Sequence, residues 1–233
     1  MPEIIFSHKT FSYQIIRKRI SSIRLSLKSR RKFLVTCPWL TPDFVIKNFV
    51  NSHAGWIAKN SSKISPTLKI ISLKKVNILD DDYQLIINKT SGDSVIIIED
   101  EHKIYVNSSH LSESRLKTII EKRMKRFSLA LIKDEIEKIK KDYPFFKYRT
   151  ITVRNQKTRF GSCSSAGSLN FNWQIIFFPK DKFRHILFHE LVHLEVKNHS
   201  RHFWETLENY DPSWKTNNLW LKKEGIKHFI INK

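Results

Sequence analysis

His189, Glu190 and His193 stand in one His-Glu-Leu-Val-His run, and His199 follows ten residues after His189. On an α-helix, positions i and i+4 share a face, so the imidazoles of His189 and His193 can meet a single ion. Glu190 then projects beside that ion, where a carboxylate can take a proton from a water. This is the H-E-x-x-H pattern of zinc hydrolases. A catalytic zinc needs a third protein ligand and one open position, and a chain reversal after the helix would bring His199 back to supply it. A solvated helix with stray histidines is the weaker reading. The neighbours Phe183, Ile186, Leu187, Leu191, Val192 and Leu194 are apolar, a background in which unpaired imidazoles and a carboxylate are costly to bury. The expected site is therefore one Zn2+ per chain on His189, His193 and His199, with Glu190 as the base.

The elements that must position these groups can be read from periodicity. Pro179-Lys180-Asp181 opens the motif helix, with Asp181 as its cap, and the helical pattern lasts to about Val196. Lys197-Asn198 breaks it, and a left-handed Asn198 would supply the reversal. Helices over 200–209 and from 213 to about 224 close the chain. Before the motif helix, 149–154 and 169–178 read as strands around a small-residue turn at 160–167. Further upstream, 20–38 alternates as a hairpin turning at 29–32, and Thr41-Pro42-Asp43 caps a helix running to about Asn60, which a Ser-Pro segment at 61–67 ends. The β-rich runs 83–87, 95–98 and 103–106 read as a meander, and Ser112 caps a long helix to about Asp142. No internal repeat stands out. The expected class is α+β, with an N-terminal portion over 1–110 and a catalytic portion over 111–233.

Composition sets broader bounds. Of 233 residues, 40% are hydrophobic and 12% aromatic, which describes a globular chain. Cys37 and Cys163 are too few and too far apart for a disulfide framework, which fits a reducing cytoplasm. The N-terminus has no apolar signal core and no window is long enough to span a bilayer, so no membrane partner is expected. The net charge of +20 favours anionic partners. Nucleic acid or a nucleotide is one possibility, although Lys, Ile and Asn are abundant throughout and basicity alone speaks only to non-specific binding.

Four segments in order carry a family resemblance: Arg159-Phe160-Gly161-Ser162-Cys163-Ser164, Gly167-Ser168-Leu169-Asn170-Phe171-Asn172-Trp173, His189-Glu190-Leu191-Val192-His193, and Asn198-His199-Ser200-Arg201-His202-Phe203-Trp204. The chain resembles the YgjP-like metal-dependent hydrolases, densely over 149–221 and more loosely over 20–56. The resemblance implies a minimal zincin, distantly SprT-like: a small sheet, an active-site helix and a second helix delivering the third ligand. It also implies a zinc metallopeptidase acting on peptide or protein. The ligand spacing equals that of the metzincins, but Val196 replaces their glycine at the reversal, which argues against membership of that group.

Other residues carry paired readings. His185 and His202 lie near the motif, but three histidines and a water already complete a tetrahedral site. Arg159 can hold a substrate carbonyl or phosphate oxygen, or form an ion pair. Asn172 and Trp173 precede the motif helix on a strand which in zincins tends to bind an extended peptide; alternatively Asn172 bonds the neighbouring turn and Trp173 packs. Cys163 reads as a small buried residue, Phe203 and Trp204 as packing beneath the metal helix, Glu205 and Glu208 as orienters of a ligand imidazole, and Tyr210 as an oxyanion donor. Two other functions remain open. One is a metal-dependent phosphohydrolase acting on nucleotides, without a Walker glycine loop or acidic metal cluster to support it. The other is a nucleic-acid-associated module docking phosphates on Arg17, Lys18, Arg19, Arg24, Lys28, Arg30, Arg31 and Lys32.

Overall fold

Period-two burial builds the N-terminal sheet. The computed structural model describes residues 2–6, 9–29, 32–61, 70–156 and 159–230. In β4 (Lys32–Pro38), Phe33, Val35 and Cys37 are buried while the residues between them are not. β4 pairs antiparallel with β3 (Arg24–Ser29) and parallel with β2 (Lys9–Lys18), and β2 pairs antiparallel with β1 (Glu3–Phe6). The expected hairpin is present; Arg30 and Arg31, which follow β3 in the sequence, lie outside the described residues. Ile46 and Val50 of α1 (Asp43–Ser52) and Ile57 of α2 (Ala54–Ser61) cover the buried face. One continuous helix was expected here. His53 interrupts it, its backbone at φ −101, ψ 9 and its Nδ1 bonded to the Phe49 carbonyl at 2.8 Å. Pro42 occupies the cap position with no side-chain bond, so Thr41 does not cap. The expected break at 61–67 falls almost wholly outside the described residues.

The runs read as a meander are four strands: β5 (Lys75–Ile78), β6 (Asp81–Lys89), β7 (Ser94–Ile98) and β8 (Lys103–Ser108). A meander would seat β7 beside β6. Instead β8 takes that place, parallel to β6, and β7 sits at the edge in the order β5-β6-β8-β7. Burial explains the choice. β8 buries Ile104, Val106 and Ser108, whereas β7 buries only Val95 and leaves Ile96 half exposed.

Ser112 caps α3 (Glu113–Asp142), its Oγ accepting from the Arg115 amide at 3.4 Å. Leu116, Ile120, Met124, Phe127, Ile132, Ile136 and Ile139 recur along its buried face at helical spacing. They share one core with β5–β8 and the C-terminal elements. There β9 (Thr150–Arg154), β10 (Gly161–Cys163) and β11 (Ser168–Asn172) form a sheet in the order β10-β11-β9. The strand expected over 169–178 stops at Asn172, whose Oδ1 accepts from the Gln174 amide and turns the chain into a buried 3₁₀ segment, Trp173–Phe177. α4 (Lys180–Val192), α5 (Arg201–Tyr210) and α6 (Trp214–Lys223) follow.

The chain divides into two compact units, 1–67 and 68–233. A boundary near 110 was expected from the sequence, but the core of α3 and α4 includes β5–β8, which places that sheet in the C-terminal unit. Among the described residues no helix is long and apolar enough to cross a membrane, and both cysteines are free.

Candidate metal centre

α4 carries the motif, and its start is tied down by another sheet. Pro179 at the cap position makes no side-chain bond, and Asp181, the expected cap, is already inside the helix, accepting from the Lys182 amide. The acceptor is Asp80 in the turn between β5 and β6, whose Oδ2 takes the Lys180 amide at 3.2 Å. A carboxylate there satisfies a free amide and complements the positive end of the helix. Leu79 and Asp80 both have positive φ (51° and 77°), which is costly for leucine, and the Leu79 amide is anchored on the Ile176 carbonyl at 3.0 Å.

The other end of α4 turns back towards His199. His193 is the helix C-cap in right-handed conformation. Lys197 Nζ donates to the carbonyls of His193 and Leu194 at 2.9 and 3.0 Å, satisfying groups the helix leaves free. Asn198 does not adopt the expected left-handed backbone. Its Oδ1 accepts from the Ser200 amide at 3.2 Å, so a side-chain turn makes the reversal that leads into α5.

The three imidazoles converge. His199 Nε2 lies 2.9 Å from His189 Nε2 and 3.2 Å from His193 Nε2. Three nitrogens at zinc-bond length around a tetrahedral ion stand about 3.4 Å apart, so a small outward movement of the rings separates this arrangement from a ligand set. It is the one such group of three or more potential ligands among the described residues. His193 Nδ1 donates to the Val196 carbonyl at 2.9 Å, which leaves its Nε2 lone pair facing the other two rings. Phe203, fully buried on α5, packs against all three imidazoles, and Trp204 stacks between His199 and Trp214.

Burial, reinforced by the neighbouring imidazoles, pulls the His189 pKa down to about 3, and the same causes lower that of His199. Neutral imidazole is the form that ligates metal. Burial pushes Glu190 up to about 8, with Arg159 opposing the shift. A cation beside Glu190 would pull that value down again.

Glu190 owes its place to a residue that the sequence reading left without a role. A Cβ on Gly161 would fall 2.6 Å from Glu190 Oε1 and 2.7 Å from its Cγ, so only glycine lets β10 pass this carboxylate. A glycine inside a strand, as in Arg159-Phe160-Gly161-Ser162, is a sign of such close approach.

The remaining candidates are distributed as follows. Arg159 and Glu190 line one cavity. Asn172 is fully buried and donates to the Gln156 carbonyl at 2.7 Å, holding a loop; β11 is the central strand of its sheet, and β10 is the edge nearer α4. Tyr210 joins an aromatic cluster with Tyr143, Phe146 and Phe188, not the imidazoles. His202 is exposed on α5, Glu205 pairs with Arg201 and Glu208 with Lys215, so neither glutamate orients a ligand ring. The Cys163 thiol pKa is raised by burial, which makes it a poor nucleophile. His185 is buried with its ring centre 6.1 Å from that of His189, and its Nδ1 meets Asp211 Oδ2 at 2.6 Å. Asn217 donates to both oxygens of that aspartate and accepts from Lys182, a buried network absent from the sequence reading.

Comparison with known proteins gives three findings. No curated protein matches the chain. Among solved structures, the metallopeptidase zymogen of Methanocaldococcus jannaschii jannalysin matches at 24% identity and a TM-score of 0.36, over 40% of this chain and 95% of that one. The zymogen of Pyrococcus abyssi abylysin matches at 22% and 0.35, over 39% and 93%. These likenesses are too slight to carry an argument. The model of the YgjP-like metallopeptidase domain matches residues 21–224, most of the chain. The protein described by these two units and this histidine cluster belongs to the YgjP-like metallopeptidase family and is a metal-dependent hydrolase.

Proposed function

We propose that the protein is a zinc peptidase with a zincin-like C-terminal layout, in which His189, His193 and His199 hold one Zn2+ and Glu190 is the general base. The observation that carries this reading is the meeting of three Nε2 atoms beside a buried carboxylate. Three imidazole donors suit zinc better than magnesium or calcium. A zinc ion there would polarise a carbonyl and acidify a water. Glu190 takes a proton at its carboxylate and returns it to the leaving amine. Gly161 keeps that carboxylate in place, the Val196 carbonyl fixes the His193 tautomer, and Phe203 excludes water from beneath the rings. The free edge of β10 is suited to accept an extended peptide by strand addition. Arg159 lines the same cavity as Glu190 and would hold a substrate oxygen there.

The test compares wild type with Glu190→Gln on a peptide library and, in parallel, on nucleoside triphosphates. Peptide turnover that falls by about a thousandfold in the variant while zinc content is kept supports the reading. Turnover of triphosphates alone would replace it with a phosphohydrolase.

A second role rests on a different observation. The N-terminal unit holds twelve Lys and Arg against two acidic residues, Glu3 and Asp43. It exposes Trp39, Leu40 and Phe44 next to the basic end of β2. Cations interleaved with exposed aromatics suit a nucleic-acid strand. Steeply salt-dependent binding of single-stranded DNA or RNA is the expected result; its absence would remove this role.

A further inference from the structure

The cavity beside Glu190 has a chemistry of its own. Its volume is about 230 Å³, below the size of drug-like ligand pockets and suited to one side chain. Phe160, Ile186 and Leu221 give it apolar walls. Phe160 is held firmly: a Cβ on Gly225 would lie 2.6 Å from its ring tip, and Phe178 and Phe229 pack on its faces and edges. Arg159, Lys222 and Asn218 add the polar lining outside the metal site. Arg159 and Lys222 are both exposed, and among the described residues neither side chain has an ion-pair partner within 4.0 Å, Arg159 feeling the Glu190 carboxylate only at longer range. Nearby Lys182 differs, being paired with Asp181 and bonded to Asn217. His185, also in the wall, has its Nδ1 committed to Asp211. Among the described residues Glu190 is the one carboxylate lining the space, and its proposed role as base occupies it.

We infer that this cavity is a specificity pocket for a carboxylate carried by the substrate residue next to the scissile bond, either a glutamate side chain or the peptide's own C-terminus. The inference rests on the peptidase reading above. The walls receive the methylene stem, and the two unpaired cations receive the charge. Lysine at that position meets like charge, and glutamine leaves both cations unpaired. Discrimination against each follows from interactions that only a carboxylate completes.

The experiment measures binding of short peptides to the full-length Glu190→Gln protein by calorimetry. The peptides are acetylated and amidated and differ only in Glu, Gln or Lys at one position; a fourth is the Gln peptide with a free C-terminus. The Glu peptide or the free-terminus peptide should bind about tenfold tighter than the amidated Gln peptide, and whichever does so identifies the source of the carboxylate. Lys222→Glu should abolish that preference. Lys133→Glu, on the exposed side of α3 and of equal net charge, should leave it intact. Equal binding of all four peptides would overturn the inference. So would a preference that survives Lys222→Glu, or one that Lys133→Glu weakens as much, which would mark a long-range effect of net charge. Wild-type turnover of the preferred peptide is measured separately. Selective binding without turnover would remove the peptidase reading and leave the carboxylate pocket standing.

Discussion

β1–β4 and β5–β8 follow the same path, two antiparallel hairpins whose inner strands, β2 with β4 and β6 with β8, pair in parallel. What they carry differs. The turn between β5 and β6 caps α4 through Asp80, and the sheet shares its core with α3 and α4. The β1–β4 sheet has a small core of its own with α1 and α2, and its unit bears ten of the chain's twenty excess positive charges on 67 residues. One topology thus serves as a mount for the histidine-bearing helix α4 in one place and carries a strongly basic unit in the other. The comparison also relocates the charge. A net +20 read across the whole chain points to an anionic substrate, whereas half of it lies in a unit that contributes no residue to the histidine cluster.

Breaking the catalytic side should have the largest effect. Gly161→Ala puts a methyl group against Glu190, and peptide turnover should fall at least about a hundredfold, because a displacement of about 1 Å at a reacting group costs that much. Zinc content should stay at one per chain, so turnover and metal analysis together check the claim. On the charged side, Lys18→Glu, Arg19→Glu and Lys47→Glu combined should reduce affinity for a single strand and lower the salt slope by about 0.7 for each phosphate the protein no longer neutralises. Peptide turnover should not change. A parallel loss of both activities would join what the comparison separates.

Smaller effects test the mount. Asp80→Ala should lower stability by about 1 kcal/mol, the usual worth of a helix cap, as read by chemical denaturation. Asp211 gives a pH dependence. Burial raises its pKa, but the bonds from His185 and Asn217 outweigh this and the net shift is downward. Its stabilising contribution is therefore present above its ordinary value near 3.8 and lost as pH falls through the lower folded value. Asp211→Asn should be less stable than wild type at pH 7, and the gap should narrow below pH 4.

The parts legible in the sequence were those written locally. His189, Glu190 and His193 sit within one helical turn of one another, and Ser112 caps the helix it precedes. Contacts made across the chain were not legible. Asp80 caps a helix a hundred residues away, and the fit of Gly161 to Glu190 joins a strand to a helix. Periodicity located β6, β7 and β8 but not their order, because alternation marks a strand's buried face and says nothing of its neighbour. The repeated topology leaves no internal sequence repeat for the same reason: backbone pairing can recur without any recurrence of side chains.

The central claim is that His189, His193 and His199 together hold one zinc ion, and zinc stoichiometry and affinity across single substitutions test it most directly. Wild type should bind one zinc per chain. His189→Ala, His193→Ala and His199→Ala should each weaken binding by at least about a hundredfold, since each removes one of three protein ligands, while His202→Ala should have no effect. Wild-type affinity in the His199→Ala protein, or an equal loss in His202→Ala, would contradict the account.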